Sequence, residues 1–504
     1  MVDLKPSPSR KNRCLPRLGS AEITGWRKLC QAWPLSILDF NRKEGYHKKF
    51  DGKRAHEIGM KLNENLSNFT SSAKFLLRGL GYRNYRLFFG GQGISLVGTW
   101  MQQVAMTWLV YRLTDSAFML GVVGFSNQIP AFVLTPFGGV LADRANRHRV
   151  LIVTQILSML QALTLALLVL TGTVQVWHII ALGIFIGCVN AFDIPTRQSF
   201  LLDMIENRAD LGNAIALNSS IFNAARLVGP AIAGVVIAIA GEGVCFFLNG
   251  ISFLAVLAAL LAMRIKPQKI EKQQANPLLG LKEGIGYAFK FSPIRSILLL
   301  VALASVMGIP YSTLIPVFAR DILHGGSHTQ GFLMSAVGLG ALTGALFLAS
   351  RKNVRGLGKI IATSAGLFGA GLVIFSFSSV LWLSLLAMAV SGFGMMVQMA
   401  SSNTVLQTLA DDDKRGRVIS LYATAFMGMM PFGSLLAGSL AGLIGAPLTL
   451  FIGGLCCILG ALLFARHLPS WRQMVRPVYA QKGIVPEIAE GLRAATGVAA
   501  PPKD

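Results

Sequence analysis

Apolar segments of about 20 residues, separated by short polar breaks, recur along most of this chain of 504 residues. A helix of that length crosses about 30 Å of hydrocarbon, and inside a bilayer only helices and closed barrels satisfy their own backbone hydrogen bonds. The segments predict twelve membrane-spanning helices, at roughly 86–112, 118–142, 149–171, 176–196, 214–240, 243–264, 294–319, 329–350, 358–378, 381–402, 417–443 and 447–466. We therefore predict an all-α membrane protein.

The charges of the chain lie mainly outside these segments. Hydrophobic residues make up 53% of the sequence and charged residues only 14%, a balance unlike that of soluble globular proteins. The net charge of +23 comes largely from basic clusters in alternate loops and in the tail. The clusters are Arg144, Arg147 and Arg149; Arg264, Lys266, Lys269 and Lys272; Arg351, Lys352 and Arg355; and Arg466, Arg472 and Arg476. Because basic loops face the cytoplasm, both termini are predicted to be cytoplasmic, and the charge requires no nucleic-acid partner.

The breaks between the segments predict the domain organisation. A basic cytoplasmic extension at 1–75 is expected to be disordered, because its few apolar residues cannot form a core. It is interpreted either as an arm attracted to anionic lipid or as a tail, with translation from Met60 as a further alternative. We then predict an N-terminal six-helix bundle at 76–264, a cytoplasmic linker at 265–293, a C-terminal six-helix bundle at 294–466 and a cytoplasmic tail at 467–504. The six cysteines have no metal-ligand spacing, so neither a metal nor a cofactor is predicted.

An internal repeat relates the two predicted halves. A shift of 204 residues aligns ten identical residues of spans five and six with spans eleven and twelve, and five of the ten are glycines. The aligned glycines are Gly212 with Gly416, Gly229 with Gly433, Gly234 with Gly438, Gly241 with Gly445, and Gly250 with Gly454. Glycines are too rare for chance to place so many on one diagonal. The repeat predicts twelve transmembrane helices in two pseudo-symmetric six-helix bundles.

The loop between the second and third spans has the sequence GVLADRANRHR at 139–149. Gly139 permits a close approach of two helices, and Asp143 can face the N-terminus of a neighbouring helix. The segment resembles the signature loop of the major facilitator superfamily, whose members rock two six-helix bundles about a central site. Asn146 stands where that family more often has glycine, and asparagine tolerates the same left-handed turn. The resemblance implies a gating switch formed by Gly139, Asp143, Arg144, Arg147 and Arg149; a stop-transfer cluster of positive charge is the alternative.

The fifth span contains the segment RLVGPAIAG at 226–234. Pro230 removes a backbone hydrogen bond and bends the helix, while Gly229, Ala233 and Gly234 present a smooth face to a neighbour. The segment resembles the antiporter motif of the same superfamily, which implies export in exchange for an ion. The residues that carry this resemblance are Arg226, Gly229, Pro230 and Gly234. A Pro-kinked helix without that role is the alternative.

Further stretches narrow the resemblance to one branch of the superfamily. They are YRLF at 85–88, GTWMQ at 98–102, WLVYRLT at 108–114, PTRQ at 195–198 and LNS at 217–219. These stretches are similar to the bacterial exporters that include the enterobactin exporter and the macrolide efflux pumps, and the likeness extends over about 75 to 470. The resemblance implies a multi-pass protein of the bacterial inner membrane.

Charged residues within the spans are candidate functional residues, because their burial in lipid is costly. Asp193 and Arg197 lie one helical turn apart and form the candidate coupling pair, with Asp193 or Asp143 as the titrating group. A fixed salt bridge at a gate is the alternative. Arg226 is expected to be a cavity charge or a charge that locks the bundle. Arg112 and Asp115 are expected to form a solvated pair in the first outer loop.

Polar and aromatic residues on apolar spans are the candidate cavity residues, because a translocation path needs polarity away from lipid. They are Trp100, Gln103, Thr107, Asn127, Gln128, Asn218, Asn223, Tyr311 and Gln398. Packing between helices is the alternative for each. Six methionines, Met395, Met396, Met399, Met427, Met429 and Met430, either offer an adaptable apolar surface to bulky substrates or pack between helices.

These observations predict a secondary-active exporter of small amphiphilic molecules, drug-like or siderophore-like, that exchanges substrate for protons by alternating access. The expected partners are the small-molecule substrate, protons and the lipid bilayer, and a monomer is expected. The sequence has no Gly-x4-Gly-Lys-Ser/Thr loop, so transport driven by ATP is not predicted for this chain alone. The spans have no cluster of His, Asp or Glu at the membrane surface, so no enzymatic activity is predicted. An importer or facilitator on the same fold is the nearest alternative. A membrane-embedded enzyme or a non-transporting sensor is a more distant one.

Overall fold

The computed structural model describes residues 77–207, 210–264, 286–351 and 354–482, except for the side chains of residues 142 and 143. The predicted extension at 1–75, most of the predicted linker and the end of the predicted tail lie outside the described residues. Within these ranges the regular elements are helices. The long helices are α1 (Arg83–Thr114), α2 (Ala117–Arg144), α3 (Arg147–Leu170), α4 (Val176–Asp203), α5 (Leu211–Ala240), α6 (Glu242–Ala262), α7 (Ser292–Ile322), α8 (Ser327–Ala349), α9 (Leu357–Ser376), α10 (Leu381–Leu409), α11 (Arg415–Ile444) and α12 (Ala446–Gln481).

Eleven helices of the described ranges are long and apolar enough to cross a membrane. The remaining one, α1, has 32 residues but carries polar side chains at helical spacing between Gln92 and Gln103. These side chains face the cavity described below, which explains why α1 is less apolar than its neighbours. The predicted all-α membrane class is confirmed.

The helix ends differ from the ends of the apolar segments. The last helix, expected to end near 466, continues to Gln481, and α4 and α10 also continue past their expected ends. Falling hydropathy marks the edge of the hydrocarbon, whereas a helix ends where its backbone hydrogen bonds lose their partners. In α12, Leu468, Trp471 and Val475 recur at helical spacing and are buried against the second half, so the helix is held beyond the apolar segment.

Two helices of the second half are irregular. π-helical turns interrupt α7 at Ala304–Gly308 and Phe318–Ile322, and α11 at Thr424–Gly428. A π turn inserts one residue into the helical hydrogen-bond ladder and is frequent at functional sites. The corresponding helices of the first half, α1 and α5, are each described as one α-helix.

Helix packing repeats between the two halves. Within the first six helices, α1 packs against α5 and α6, α3 packs against α4 and α6, and α2 packs against α4. Adding six to each helix number gives pairs that also pack in the last six helices. Two extensive contacts, α2 with α11 and α5 with α8, join the halves. Each half also has apolar clusters of its own, and in the second half Phe318 near the end of α7 stacks on Phe375 near the end of α9.

The glycines aligned by the 204-residue shift occupy equivalent places. A Cβ atom on Gly234 of α5 would lie 2.9 Å from the backbone of α8, and one on Gly438 of α11 would lie 2.6 Å from the Cα of Gly121 in α2. Both glycines therefore stand at close crossings between the halves. Gly241 and Gly445 end α5 and α11 with φ values of 81° and 86°, which L side chains disfavour. The repeat predicted from the sequence is thus matched by the packing.

The helix ends form two faces. On one face, Asn84 at the start of α1 donates from Nδ2 to the backbone oxygen of Arg264, which follows α6, at 2.9 Å. We call this the terminus face. On the other, which we call the opposite face, Arg112 near the end of α1 pairs with Glu242 at the start of α6, with 2.8 Å between Nε and Oε1.

Candidate functional site

A cavity of about 450 Å³ lies between the two halves. Its first-half lining contains most of the polar side chains and is called the polar wall. These side chains are Gln92, Ser95, Thr99, Gln102, Gln103, Gln155, Ser158, Gln161, Asn190, Asp193, Arg197, Arg226 and Asn249. The second-half lining, called the apolar wall, consists of Ile309, Tyr311, Ser312, Ile315, Met334, Val337, Met395, Phe426, Met427 and Met430. A site with two unlike walls can bind a small molecule that has a polar and an apolar side.

Hydrogen-bonded amides connect the helices of the polar wall. Asn249 of α6 donates from Nδ2 to Oε1 of Gln102 in α1 at 2.7 Å. Gln102 donates in turn from Nε2 to Oε1 of Gln161 in α3 at 3.0 Å. Nε2 of Gln161 is buried and has no hydrogen-bond partner in the described part of the chain. The amide chain thus ends in a buried N–H that lacks a partner among the described residues, on a residue of the cavity lining.

Asp193 of α4 is the acidic residue of the cavity lining, and only 4% of its surface is exposed. Its Oδ1 accepts hydrogen bonds from Oγ1 of Thr154 at 2.8 Å and from Nε2 of Gln155 at 2.9 Å, both in α3. Its Oδ2 lies 3.5 Å from Nη2 of Arg197, one turn further along α4. The pair expected from the sequence is therefore formed, and the same carboxylate also joins α4 to α3.

Arg226 of α5 lies among aromatic side chains. Its guanidinium carbon is 5.7 Å from the ring centroid of Trp100 in α1, which is a cation–π distance. The ring of Trp100 meets that of Phe222 edge to face, with centroids 5.8 Å apart. Arg226 also interacts with the hydroxyl of Tyr311 in α7. This arginine thus connects the polar wall to a residue of the second half.

Contacts between the halves close the cavity toward the opposite face. These contacts, which we call the opposite-face seal, join Thr107 to Gln330, Tyr111 to Asp321, and Asp115 to Arg320. Gln330 of α8 is fully buried and donates from Nε2 to Oγ1 of Thr107 at 2.7 Å. Any movement that separates the halves at this face must break all three contacts.

Two charges near this seal have partners other than the expected ones. Arg112 does not pair with Asp115 in a solvated loop, because it reaches the buried carboxylate of Glu242. Asp115 instead pairs with Arg320 of α7. Sequence proximity suggested the first pairing, but both true partners lie on other helices, more than a hundred residues away.

The predicted gating loop between α2 and α3 lies at the terminus face. Arg147 pairs with Asp203 at the end of α4, with Nη1 3.0 Å from Oδ1. Arg144 and Arg149 are exposed. The side chain of Asp143 lies outside the described residues, so its contact with a helix N-terminus stays a prediction.

Two details of this loop differ from expectation. Asn146 does not form a left-handed turn: its backbone is extended, with φ of −69° and ψ of 105°, and its Oδ1 caps α3 by accepting from the N–H of Arg149 at 3.2 Å. The close approach expected at Gly139 occurs one residue earlier. A Cβ on Gly138 would lie 2.0 Å from the backbone oxygen of Ala191 in α4, whereas one on Gly139 would meet nothing within 4 Å. Adjacent helical residues point about 100° apart, so only one of the two can face α4.

The antiporter-like segment of α5 meets two different helices. A Cβ on Gly229 would lie 2.6 Å from the Cβ of Trp100 in α1, whereas one on Gly234 would meet the backbone of α8. Pro230, which lines the cavity, cannot donate a hydrogen bond to the carbonyl of Arg226. The segment therefore packs within the first half on one side and crosses to the second half on the other.

Of the nine predicted cavity residues, Trp100, Gln103 and Tyr311 line this cavity. The other six lie outside its lining: Thr107, Asn127, Gln128, Asn218, Asn223 and Gln398. Gln128 and Asn223 show why, because each donates from its amide to a backbone oxygen four residues earlier in its own helix, at 3.2 Å and 2.8 Å. A polar side chain satisfied in this way needs no cavity. Of the six methionines, Met395, Met427 and Met430 belong to the apolar wall.

Sequence reasoning misses most of the polar wall. Gln155, Ser158 and Gln161 of α3 all line the cavity. They follow one another at intervals of three on an otherwise apolar span, which places them on one helical face, and this spacing is a signal that could have found them. Asn190 precedes Asp193 and Arg197 on α4 at intervals of three and four, and this spacing could have found it in the same way. Asn249 of α6 has only Ser252, three residues later, as a polar neighbour on its helical face.

Comparison with known proteins gives consistent likenesses. A family model described as transmembrane secretion effector matches residues 79–497. The staphyloferrin A transporter of Staphylococcus aureus is 27% identical over 75% of this chain and 95% of its own length. The multidrug efflux pump Tap of Mycolicibacterium fortuitum is 26% identical over 70% of this chain and 86% of its own. The crystal structure of a POT family transporter in complex with 5-aminolevulinic acid shares the fold, with a TM-score of 0.62 at 12% identity over 78% of this chain and 96% of that one.

Proposed function

This chain belongs to the transmembrane secretion effector family, and on that premise we propose that it is a secondary-active exporter of small amphiphilic molecules driven by protons. The observation that carries the proposal is the cavity between the halves, with its polar wall and its apolar wall. A cavity of about 450 Å³ accommodates a small molecule. The two walls fit a molecule that has hydrogen-bonding groups on one side and an apolar body on the other.

Alternating access supplies the transport step. The cavity lies between halves that touch through α2 with α11 and α5 with α8, so rocking about these two contacts exposes it first at one face and then at the other. The opposite-face seal is the gate on one side. We assign the gate on the terminus face to the loop residues Gly139, Asp143, Arg144, Arg147 and Arg149, of which Arg147 is anchored by Asp203.

Two observations support export rather than import. The segment that contains Arg226, Gly229, Pro230 and Gly234 resembles the antiporter motif and lies at both a first-half packing contact and a crossing to the second half. The two relatives are named as a staphyloferrin A transporter and a multidrug efflux pump, so we propose siderophore-like or drug-like substrates. An importer on the same fold is the alternative that the experiment below tests.

We assign proton coupling to Asp193, with Arg197 as its partner. Protonation of a carboxylate removes its negative charge and converts one acceptor oxygen to a donor. At Asp193 this change would weaken the ion pair with Arg197 and the hydrogen bonds from Thr154 and Gln155. A proton would thus alter both the charge of the cavity and the contact between α3 and α4.

The basic residues set the proposed orientation. Arg144, Arg147 and Arg149 lie at the terminus face, so by the positive-inside rule this face is cytoplasmic and both termini are cytoplasmic. The opposite-face seal then points out of the cell, and the membrane is the inner membrane of a bacterium. We propose that the protein acts as a monomer.

Transport by inside-out vesicles tests the proposal. An exporter oriented in this way takes up a dansyl-labelled amphiphile into such vesicles when a proton gradient, acidic inside, is imposed, and a protonophore abolishes the uptake. Vesicles without the protein are the control. Uptake that is indifferent to the gradient would reject coupling to protons, and uptake only by right-side-out vesicles would favour the importer.

A further inference from the structure

Three charged side chains line the cavity: Asp193, Arg197 and Arg226. Asp193 and Arg197 form an ion pair with each other, so their charges offset. Arg226 forms no ion pair with any carboxylate of the described residues, and its contacts are Trp100 and Tyr311. The cavity therefore contains one positive charge that the described residues do not neutralise.

This arrangement is costly unless the charge has a use. A guanidinium group stays protonated at physiological pH, and charges within a membrane are rare unless they are paired or face a cavity. The ring of Trp100 offsets part of the cost by a cation–π interaction, but it satisfies none of the five N–H donors. The hydroxyl of Tyr311 can accept from only some of the five N–H groups of Arg226. The remaining N–H groups can therefore donate to a group in the cavity.

The surroundings of Arg226 suit an anionic group attached to an apolar body. Tyr311 belongs to the apolar wall, which also contains Met334 and Met427. Met427 is 52% exposed, so its thioether surface is open to contact. On the first-half side, Trp100 offers its aromatic face to the guanidinium. An acidic group of a ligand that binds to the guanidinium of Arg226 would thus lie between the polar wall and the apolar wall.

We propose that Arg226 is the anion-binding residue of the cavity, and that the exported amphiphile carries a carboxylate which forms a bidentate pair with its guanidinium. The planar fork of an arginine matches the two oxygens of a carboxylate, and such charge-assisted bonds are about twice as strong as neutral ones. A cationic amphiphile meets an unneutralised positive charge and is disfavoured. This inference rests on the proposed export function, because it names the substrate class of the same cavity.

Binding of a matched pair of probes tests the inference. The probes are 11-(dansylamino)undecanoic acid and its primary amide, which differ only in the charge of the head group. Binding to the full-length protein in lipid nanodiscs is followed by energy transfer from tryptophan to dansyl, with empty nanodiscs as the blank. The wild-type protein is expected to bind the acid about tenfold more tightly than the amide, corresponding to about 1.4 kcal/mol.

Variants of Arg226 test whether this residue causes the preference for the acid over the amide. Arg226→Gln is expected to weaken binding of the acid about tenfold while leaving the amide unchanged, because only the acid loses a charge-assisted pair. Arg226→Lys keeps the charge but not the fork, and retains part of the preference. Arg466→Gln removes the same charge from an exposed position of α12 and is expected to bind both probes as the wild type does. If Arg226→Gln does not fold, the comparison of wild type with Arg226→Lys replaces it.

The outcomes separate this inference from the export function. Equal wild-type affinity for acid and amide, or an equal loss of both in Arg226→Gln, overturns the anion site. Vesicles that transport the amide as fast as the acid overturn it as well, while export stands. A preserved preference in nanodiscs, with neither probe transported by vesicles, supports the anion site and rejects the exporter.

Discussion

At the scale of single residues, Asp193 is both a cavity residue and a connector of α3 and α4. Asp193→Asn keeps the shape of the side chain and removes its charge. We expect it to lower gradient-driven uptake by inside-out vesicles about tenfold, equivalent to about 1.4 kcal/mol, with unchanged amounts of protein in the membrane. The reason is that an amide cannot carry the proton that the proposed coupling step requires.

The control is Asp413→Asn, in which an exposed carboxylate beside Lys414 is neutralised away from the cavity. It is expected to transport as the wild type does. Full gradient-driven uptake by Asp193→Asn would remove this residue from the coupling step and leave it a structural connector.

A second residue, Gln102, holds the polar wall together. Gln102→Leu leaves the Oε1 of Gln161 and the Nδ2 of Asn249 without their partner, and a buried polar group left unpaired costs about 1 to 3 kcal/mol. We expect a lower midpoint of thermal unfolding in detergent, measured by circular dichroism. Gln128→Leu is the matched control, because Gln128 donates only to its own helix. Equal midpoints for the two variants would contradict a structural role for the amide chain.

Residue pairs could be predicted from the sequence where they are local. The spacing of Asp193 and Arg197 indicated a pair on one helical face, and the structure has it. The partners of Asp193 on α3, Thr154 and Gln155, could not be predicted. Their contact depends on the relative position of α3 and α4 along their axes, which the sequence does not give. The same reason explains why Arg112 finds Glu242 rather than its neighbour in sequence.

At the scale of helices, the crossings between the halves depend on glycine. We expect Gly234→Ala to destabilise the protein by about 1 to 3 kcal/mol, because the added methyl group lies 2.9 Å from the backbone of α8. Relief of this contact requires one of the two helix backbones to move. Gly438→Ala is expected to behave alike, since its methyl group meets α2 at 2.6 Å. The measurement is the midpoint of thermal unfolding.

Gly442→Ala provides the matched control on α11. A Cβ there would lie 3.7 Å from the nearest atom, in Phe118, which is an ordinary van der Waals distance. Its midpoint is expected to equal that of the wild type. If all three alanine variants unfold at the same temperature, the crossings are looser than the structure indicates.

The number and order of the helices followed from hydropathy and from the repeat, but their irregularities did not. Apolar content indicates that a segment crosses the membrane, and it is insensitive to a π turn such as Ala304–Gly308, which leaves the composition unchanged. The antiporter-like segment with Gly229 and Gly234 did predict that α5 approaches another helix closely. It carried this information because close approach requires a specific residue type, whereas a π turn does not.

At the scale of the whole molecule, a symmetric packing supports an asymmetric site. The helix contacts of the first half recur in the second, and the crossings α2–α11 and α5–α8 correspond to each other. The lining does not follow this symmetry, since the first half supplies most of the hydrogen-bonding groups and the second supplies mainly methionine and other apolar side chains. The proposed rocking of the two halves would therefore move a polar wall against an apolar one, and an amphiphile between them would contact both.

We expect the opposite-face seal to set how often the cavity opens on that side. The pair of Asp115 and Arg320 is largely exposed, and such pairs contribute about 1 kcal/mol at most, or up to about fivefold in an equilibrium. Arg320→Asp replaces attraction by repulsion between the halves. We expect up to about fivefold faster labelling of a cysteine introduced at Gln103 by an impermeant maleimide added at the opposite face, in a background without native cysteines.

Charge reversal distinguishes the seal from a general effect of charge. A variant with both Asp115→Arg and Arg320→Asp restores an opposite-charge pair and is expected to return most of the way to the slow labelling rate. Arg112→Asp changes the same charge on the same face but breaks a pair within the first half, so its labelling rate is expected to stay slow. Because separation of the halves is sensitive only to contacts that cross between them, fast labelling in Arg112→Asp would show that the seal does not control access.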